Sequence, residues 1–318
     1  MNTLHAYRDP PPSPRLPHVR VGWAGRAARA LTTLMSASVL AAGALAVAPA
    51  PARAEDVITT QEYFSYYHLD TARAKGYTGK GVTIALIDGP IDTSAPELKG
   101  ANITDKSRCT IEEAPRGLNH GTALASILVS QNYGVAPDAT LYLYQASDDN
   151  SLSGGTCVVG DKRLDSYAIL INQAIDDGAQ IISISMSAPD PSDDVKWAIA
   201  RAMSQGVIIV NSAGNTGADN NANQLSRWSG VVGVSAIKSD GSFADYSSWG
   251  NGVTTAAIRE PFTRRDYETG QNTTTYGTSY AAPLAAGMLA LARQKWPDAT
   301  ANQILQVLTH TGLNPNHE

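Results

Sequence analysis

Four side chains in this 318-residue sequence, Asp88, His120, Asn215 and Ser279, could together carry out nucleophilic chemistry; they are separated by 32, 95 and 64 residues. Ser279 lies in Thr275-Tyr276-Gly277-Thr278-Ser279-Tyr280-Ala281-Ala282-Pro283, just before a helix-like run over 281–295. A serine at a helix N-terminus lies among unpaired backbone N–H groups and the positive end of the helix dipole. Those donors can stabilise an oxyanion forming on a carbonyl group. Gly277 leaves the approach free of a side chain, and Pro283 is expected near the first turn, where a missing N–H matters least. Taken alone, such a serine reads as a helix cap. To act as a nucleophile it needs a base to take its proton, and the base needs a partner that fixes its tautomer.

The candidates for base and partner are few. Beyond residue 54 the histidines are His68, His120, His310 and His317. His68 falls in an aromatic lead-in and the last two lie near the C-terminus. His120 opens a helical pattern beside Gly121 and Thr122, where a turn can present the imidazole, although by itself it suits a structural role. Asp88 ends the apolar run Val82-Thr83-Ile84-Ala85-Leu86-Ile87. A carboxylate there is costly unless it is partnered, and Asp before Gly89-Pro90 also suits a plain turn. Asp92, in Asp-Thr-Ser-Ala-Pro, is expected to make local hydrogen bonds.

The elements that must position these groups alternate. Short β-branched runs at 82–87, 140–144, 180–185, 207–210 and 231–236 read as buried parallel strands. Helical patterns at 120–128, 166–177, 193–205, after Ser279 and at 300–309 separate or follow them, with Ser192 or Asp193 as a cap. Polar Gly/Ser-rich loops are expected from 237 to 274. This alternation gives an α/β fold: three layers, a mostly parallel sheet with helices on both faces. Functional groups in such sheets gather beyond the C-terminal strand ends, where Asp88 and Asn215 fall. With 43% hydrophobic residues and no internal repeat, a single large domain follows.

In order and on the expected elements, Asp88 after Val-Thr-Ile-Ala-Leu-Ile, His120-Gly121-Thr122, Ala213-Gly214-Asn215 and Gly277-Thr278-Ser279-Tyr280-Ala281-Ala282-Pro283 resemble the subtilisin family of serine proteases. The resemblance runs from about Tyr77 to Thr309. It implies that Ser279 attacks the scissile carbonyl, that His120 is general base and then acid, and that Asp88 orients and charge-stabilises His120. Asn215 resembles the side-chain donor of the oxyanion hole. By position, Ser185, Ser187, Ser212, Ala213 and Gly214 resemble walls of the pocket for the residue before the cleaved bond. Ser151, Leu152, Ser153 and Gly154 resemble the edge strand that pairs with extended substrate. The implied activity is a secreted serine endopeptidase working through an acyl-enzyme. A dedicated peptide-maturation protease or ligase, or a non-catalytic peptide-binding relative, are the alternatives.

The sequence also departs from the family pattern. Gly89-Pro90 replaces the usual Ser-Gly or Thr-Gly, Tyr280 stands where many relatives have Met, and Ser-Met-Ser-Ala replaces Ser-Leu-Gly-Gly in the pocket wall. The stretch from His120 to Pro137 is shorter than in the common secreted members, so their calcium loop is not indicated. No cofactor and no metal ligand set is expected. No room for the family's propeptide is read before Asp88, and the chain reads as stopping short at its C-terminus.

Residues 1–54 carry basic residues, an apolar run over 31–48 and Ala52-Arg53-Ala54, the pattern of a secretory signal peptide. The peptidase domain is then 55–318, with no membrane insertion after cleavage. The leader holds six of the 24 basic and one of the 29 acidic residues, leaving 18 and 28, a formal net charge of −10. That balance disfavours nucleic acid and suits a soluble exported monomer acting on polypeptides. In an oxidising compartment Cys109 and Cys157 are expected to pair.

Overall fold

The computed structural model describes residues 57–109, 111, 114–146, 157–186, 192–219, 225–258 and 261–311. The leader expected at 1–54, the edge-strand residues Ser151, Leu152, Ser153 and Gly154, and Ser187 lie outside the described residues.

Helices α1 (Glu62–Tyr66) and α2 (Leu69–Ala74) lead into β1 (Thr83–Asp88), β2 (Asn102–Asp105), α3 (Pro115–Val129) and β3 (Thr140–Gln145). A two-residue hairpin, β4 (Val158–Val159) and β5 (Lys162–Arg163), precedes α4 (Tyr167–Asp176), β6 (Ile181–Ile184), α5 (Asp193–Ser204), β7 (Ile208–Ser212) and β8 (Val231–Ile237). Next come β9 (Thr255–Ile258), β10 (Phe262–Asp266), β11 (Gln271–Thr275), α6 (Thr278–Lys295) and α7 (Ala301–Thr311).

Seven strands form one sheet in the order β2-β3-β1-β6-β7-β8-β9. Every neighbouring pair in it is parallel. Both faces are buried, because side chains alternate along each strand. On β1, Ile84 and Leu86 face a core shared with α3 and α6, while Ala85 and Ile87 face one shared with α4 and α5. The result is the three-layer α/β fold expected from the strand and helix pattern. The chain leaves β1 towards β2 and β3 on one side and later returns to β6 on the other. The end of β1, and with it Asp88, therefore lies at the topological switch point, where such sheets bind ligands.

One expectation about these elements requires correction. The stretch 237–274 is not loop throughout: it holds the edge strand β9 and the antiparallel β10–β11 hairpin. Its polar composition hid it, since only Phe262 of the hairpin is buried and the pairing is carried by the backbone. The lead-in also contains helices. Gln61 holds β10 by exchanging two hydrogen bonds with the Thr263 backbone, at 2.7 and 3.0 Å, much as a neighbouring strand would. Ile258 N–H donates to the Tyr67 hydroxyl at 2.8 Å. Among the described residues no helix is long and apolar enough to cross a membrane.

Candidate active site

β1 carries Asp88 into full burial, with no solvent exposure. Its Oδ1 lies 2.8 Å from His120 Nδ1, and its Oδ2 has no hydrogen-bond partner among the described residues. A buried carboxylate persists only when it is paired, so the imidazole is what makes Asp88 tolerable there. The same contact places the neutral imidazole's proton on Nδ1 and leaves Nε2 as the acceptor.

His120 does not open its helix, as the spacing suggested. α3 begins at Pro115, a residue well suited to the first helical position because its missing N–H has no intrahelical role there. His120 accordingly stands in the second turn, with a side chain 12% exposed. The two residues after it explain how it meets Asp88. A Cβ on Gly121 would fall 2.6 Å from the Pro90 carbonyl oxygen and 2.7 Å from Ile91 Cγ1, so only glycine lets the loop after Asp88 pass this close. Thr122 then holds that loop by accepting a hydrogen bond from Asp92 N–H at 3.0 Å. Asp92 makes its expected local bonds with Ser94.

Ser279 is the second residue of α6, which starts at Thr278 and not at 281. Gly277 caps it at φ +153°, a backbone conformation side-chain-bearing residues rarely adopt. Thr278 organises the neighbouring amide. Asn215 Oδ1 accepts from Thr278 N–H at 2.8 Å and from its hydroxyl at 3.0 Å, and Gly214 N–H donates to Thr278 Oγ1 at 3.1 Å. Two donors on Oδ1 fix the orientation of the amide, leaving Nδ2–H₂ as the donor end. Asn215 is exposed.

Pro283 falls in the second turn of α6, not near the first as expected. The Ser279 carbonyl therefore lacks the N–H that residue 283 would normally supply. Ser185 compensates: its hydroxyl donates to the Ser279 carbonyl at 2.9 Å, and the Ser279 hydroxyl donates back to the Ser185 carbonyl at 3.1 Å. Ser185, read from the sequence as a pocket wall, thus clasps the serine itself. The other described wall residues lie at the end of β7: Ser212 and Ala213 are buried, and Gly214 turns the chain with φ +102°.

Tyr280, the residue after Ser279, lies beside His120. Its ring centroid lies 6.1 Å from the imidazole and 5.3 Å from Phe262, stacked on the latter. Burial raises the Tyr280 pKa, keeping the phenol neutral. Sequence reasoning assigned no role to Thr278, to Tyr280 beyond its departure from Met, or to Thr122 beyond its place beside His120. The signal for each lay inside the motif that carried its neighbour. Cys109 and Cys157 form a disulfide with a Cα–Cα distance of 6.0 Å. Among the described residues no group of three or more His, Cys, Asp or Glu side chains is placed to hold a metal ion.

A sequence profile of the subtilase family matches residues 79–318. A thermostable alkaline protease of Halalkalibacterium halodurans is 31% identical over 257 residues, covering 78% of this chain and 66% of that protein. Subtilisin DY of Bacillus licheniformis is 27% identical over 256 residues, 77% of this chain and 88% of its own. Among solved structures, a mutant of the protease domain of PatA superposes with a TM-score of 0.63 at 25% identity, over 74% of this chain and 88% of that one. The PatG macrocyclase in complex with peptide shares the fold, with a TM-score of 0.65 at 20% identity, over 78% and 88%.

Proposed function

The chain belongs to the subtilase family, and from that premise we propose that it is a secreted serine endopeptidase, cleaving polypeptides through Asp88, His120 and Ser279. The observation that carries this reading is the 2.8 Å Asp88–His120 contact, made beside the residue that follows Ser279. The N-terminal leader supports export.

The chemistry follows from the groups in place. The Ser279 hydroxyl, which donates to Ser185 in this structure, turns about its Cα–Cβ bond to donate to His120 Nε2. Nε2 takes the proton as Oγ bonds to the scissile carbonyl carbon, and the carbonyl π pair moves onto oxygen. Asn215 Nδ2–H₂ and the Ser279 backbone N–H, at the positive end of α6, stabilise that oxyanion. Asp88 stabilises the imidazolium, which the low dielectric of its surroundings makes effective. When the tetrahedral intermediate collapses, the C–N bond breaks and His120 returns the proton to the leaving amine. Water then repeats the sequence on the acyl-enzyme, releasing the acid and restoring Ser279.

The test is cleavage of an unfolded protein substrate by the wild type and by Ser279→Ala. The wild type is expected to cleave and the variant to lose at least about 10³ in rate; equal cleavage by both would refute the assignment.

A further inference from the structure

The β10–β11 hairpin touches the loop that leaves Asp88 and the helix that carries His120. Its turn begins at Tyr267, whose hydroxyl donates to Asp92 Oδ2 at 2.9 Å and whose backbone N–H donates to Asn119 Oδ1 at 2.7 Å. Asp92 belongs to the loop leaving Asp88, and Asn119 immediately precedes His120. One residue therefore spans the loop that follows the carboxylate and the helix that carries the imidazole. Asn119 is committed at both ends of its amide, since its Nδ2 donates to Asp266 Oδ1 at 3.1 Å. It is also buried, so these bonds have little competition from water. At the base of the same hairpin, Phe262 stacks on Tyr280, the ring beside the imidazole.

These contacts bridge 147 to 175 residues of sequence and converge on one pair of side chains. The acceptor chemistry fits a durable bond. Asp92 Oδ1 is already occupied by Ser94, so Oδ2 is the oxygen available to Tyr267. Burial works against the charged form of Asp92, but hydrogen bonds from Ser94 and Tyr267 and the Arg265 charge outweigh it and hold the carboxyl below its usual range. Tyr267 is thus a neutral phenol donating to a carboxylate, a charge-assisted bond stronger than one between neutral groups.

We infer that Tyr267 is a positioning residue for the Asp88–His120 pair, fixing the spacing between the loop that follows Asp88 and the helix that carries His120. It touches no reacting atom; it acts through Asp92 and Asn119. This rests on the assignment of Asp88 and His120 as the orienting acid and the base, and the readouts are chosen to keep the two claims apart.

Tyr267→Phe removes one hydroxyl and keeps the backbone bond to Asn119. In the folded variant kcat is expected to fall roughly tenfold with KM within about twofold, a loss of the size produced by sub-ångström misplacement. The imidazole Nδ1 proton is expected to give a downfield NMR resonance in the wild type and to shift or broaden in the variant. That signal reports the pair whether or not the protein cleaves peptides. Asp92→Ala also removes the Ser94 bonds and is expected to lose at least as much kcat as Tyr267→Phe. Adding Tyr267→Phe to Asp92→Ala is expected to cost no more, because the bond it removes is already gone. A folded Tyr267→Phe protein with wild-type kcat and an unmoved resonance overturns the positioning role while leaving the endopeptidase reading intact. A wild type that fails to cleave counts against the endopeptidase reading, and the resonance still decides the role of Tyr267. If Tyr267→Phe does not fold, Asp92→Asn, which weakens the same bond by removing the acceptor's charge, takes its place with the same expected outcomes.

Discussion

Ser279 is bound into its helix by a neighbour that compensates for a proline. Because Pro283 offers no N–H, the Ser279 carbonyl depends on the Ser185 hydroxyl, and the Ser279 hydroxyl returns the bond. Ser185→Ala leaves that carbonyl unpaired and is expected to lower stability by about 1–3 kcal/mol. In a Pro283→Ala background the new N–H can reach the same carbonyl, so the loss from Ser185→Ala is expected to shrink below about 1 kcal/mol. Urea unfolding of the four proteins measures this cycle, and equal losses in both backgrounds would contradict it. At this scale the sequence was informative about identity and poor about partnership. Asp88, His120 and Ser279 stood out by type and spacing, whereas the Ser185–Ser279 clasp joins residues 94 apart. No local pattern announces such a contact.

Among the elements, the buried strands were the most legible. The runs leading to Asp88 and Asn215 are β-branched, apolar and short, as strands covered on both faces must be. Helix starts were less legible. α3 begins five residues before His120 because Pro115 suits a first turn. The β10–β11 hairpin was missed because its residues are mostly polar and half-exposed, and its partners are far away in sequence. The close inter-element contact nearest the Asp88–His120 pair is at Gly121, where the loop after Asp88 crosses α3. Gly121→Ala would place a methyl group 2.6 Å from a backbone oxygen that cannot swing aside. It is expected to destabilise the protein by about 1–3 kcal/mol and to lower kcat by about 10² by parting Asp88 from His120. Thermal unfolding and steady-state kinetics together check both effects. A stable variant with full activity would show that the loop has more freedom than its packing implies.

For the molecule as a whole, the sheet order places Asp88 at the switch point, and the helices of one layer supply both His120 and Ser279. Fold and site are thus one arrangement: α3 and α6 pack on the same face of the sheet that delivers Asp88. The Cys109–Cys157 bridge closes a span of 48 residues, worth roughly 4 kcal/mol in the chain-entropy model. Reduction is therefore expected to move the urea midpoint sharply downward, and an unchanged midpoint would mean the bridge constrains little. The central claim is that Asp88, His120 and Ser279 act as one nucleophilic unit. Reaction with a fluorophosphonate, followed by mass mapping of the adduct, tests it most directly. The wild-type adduct is expected on Ser279 alone, with His120→Ala and Asp88→Ala labelled far more slowly. An adduct on another residue, or equal labelling in all three proteins, would contradict the account.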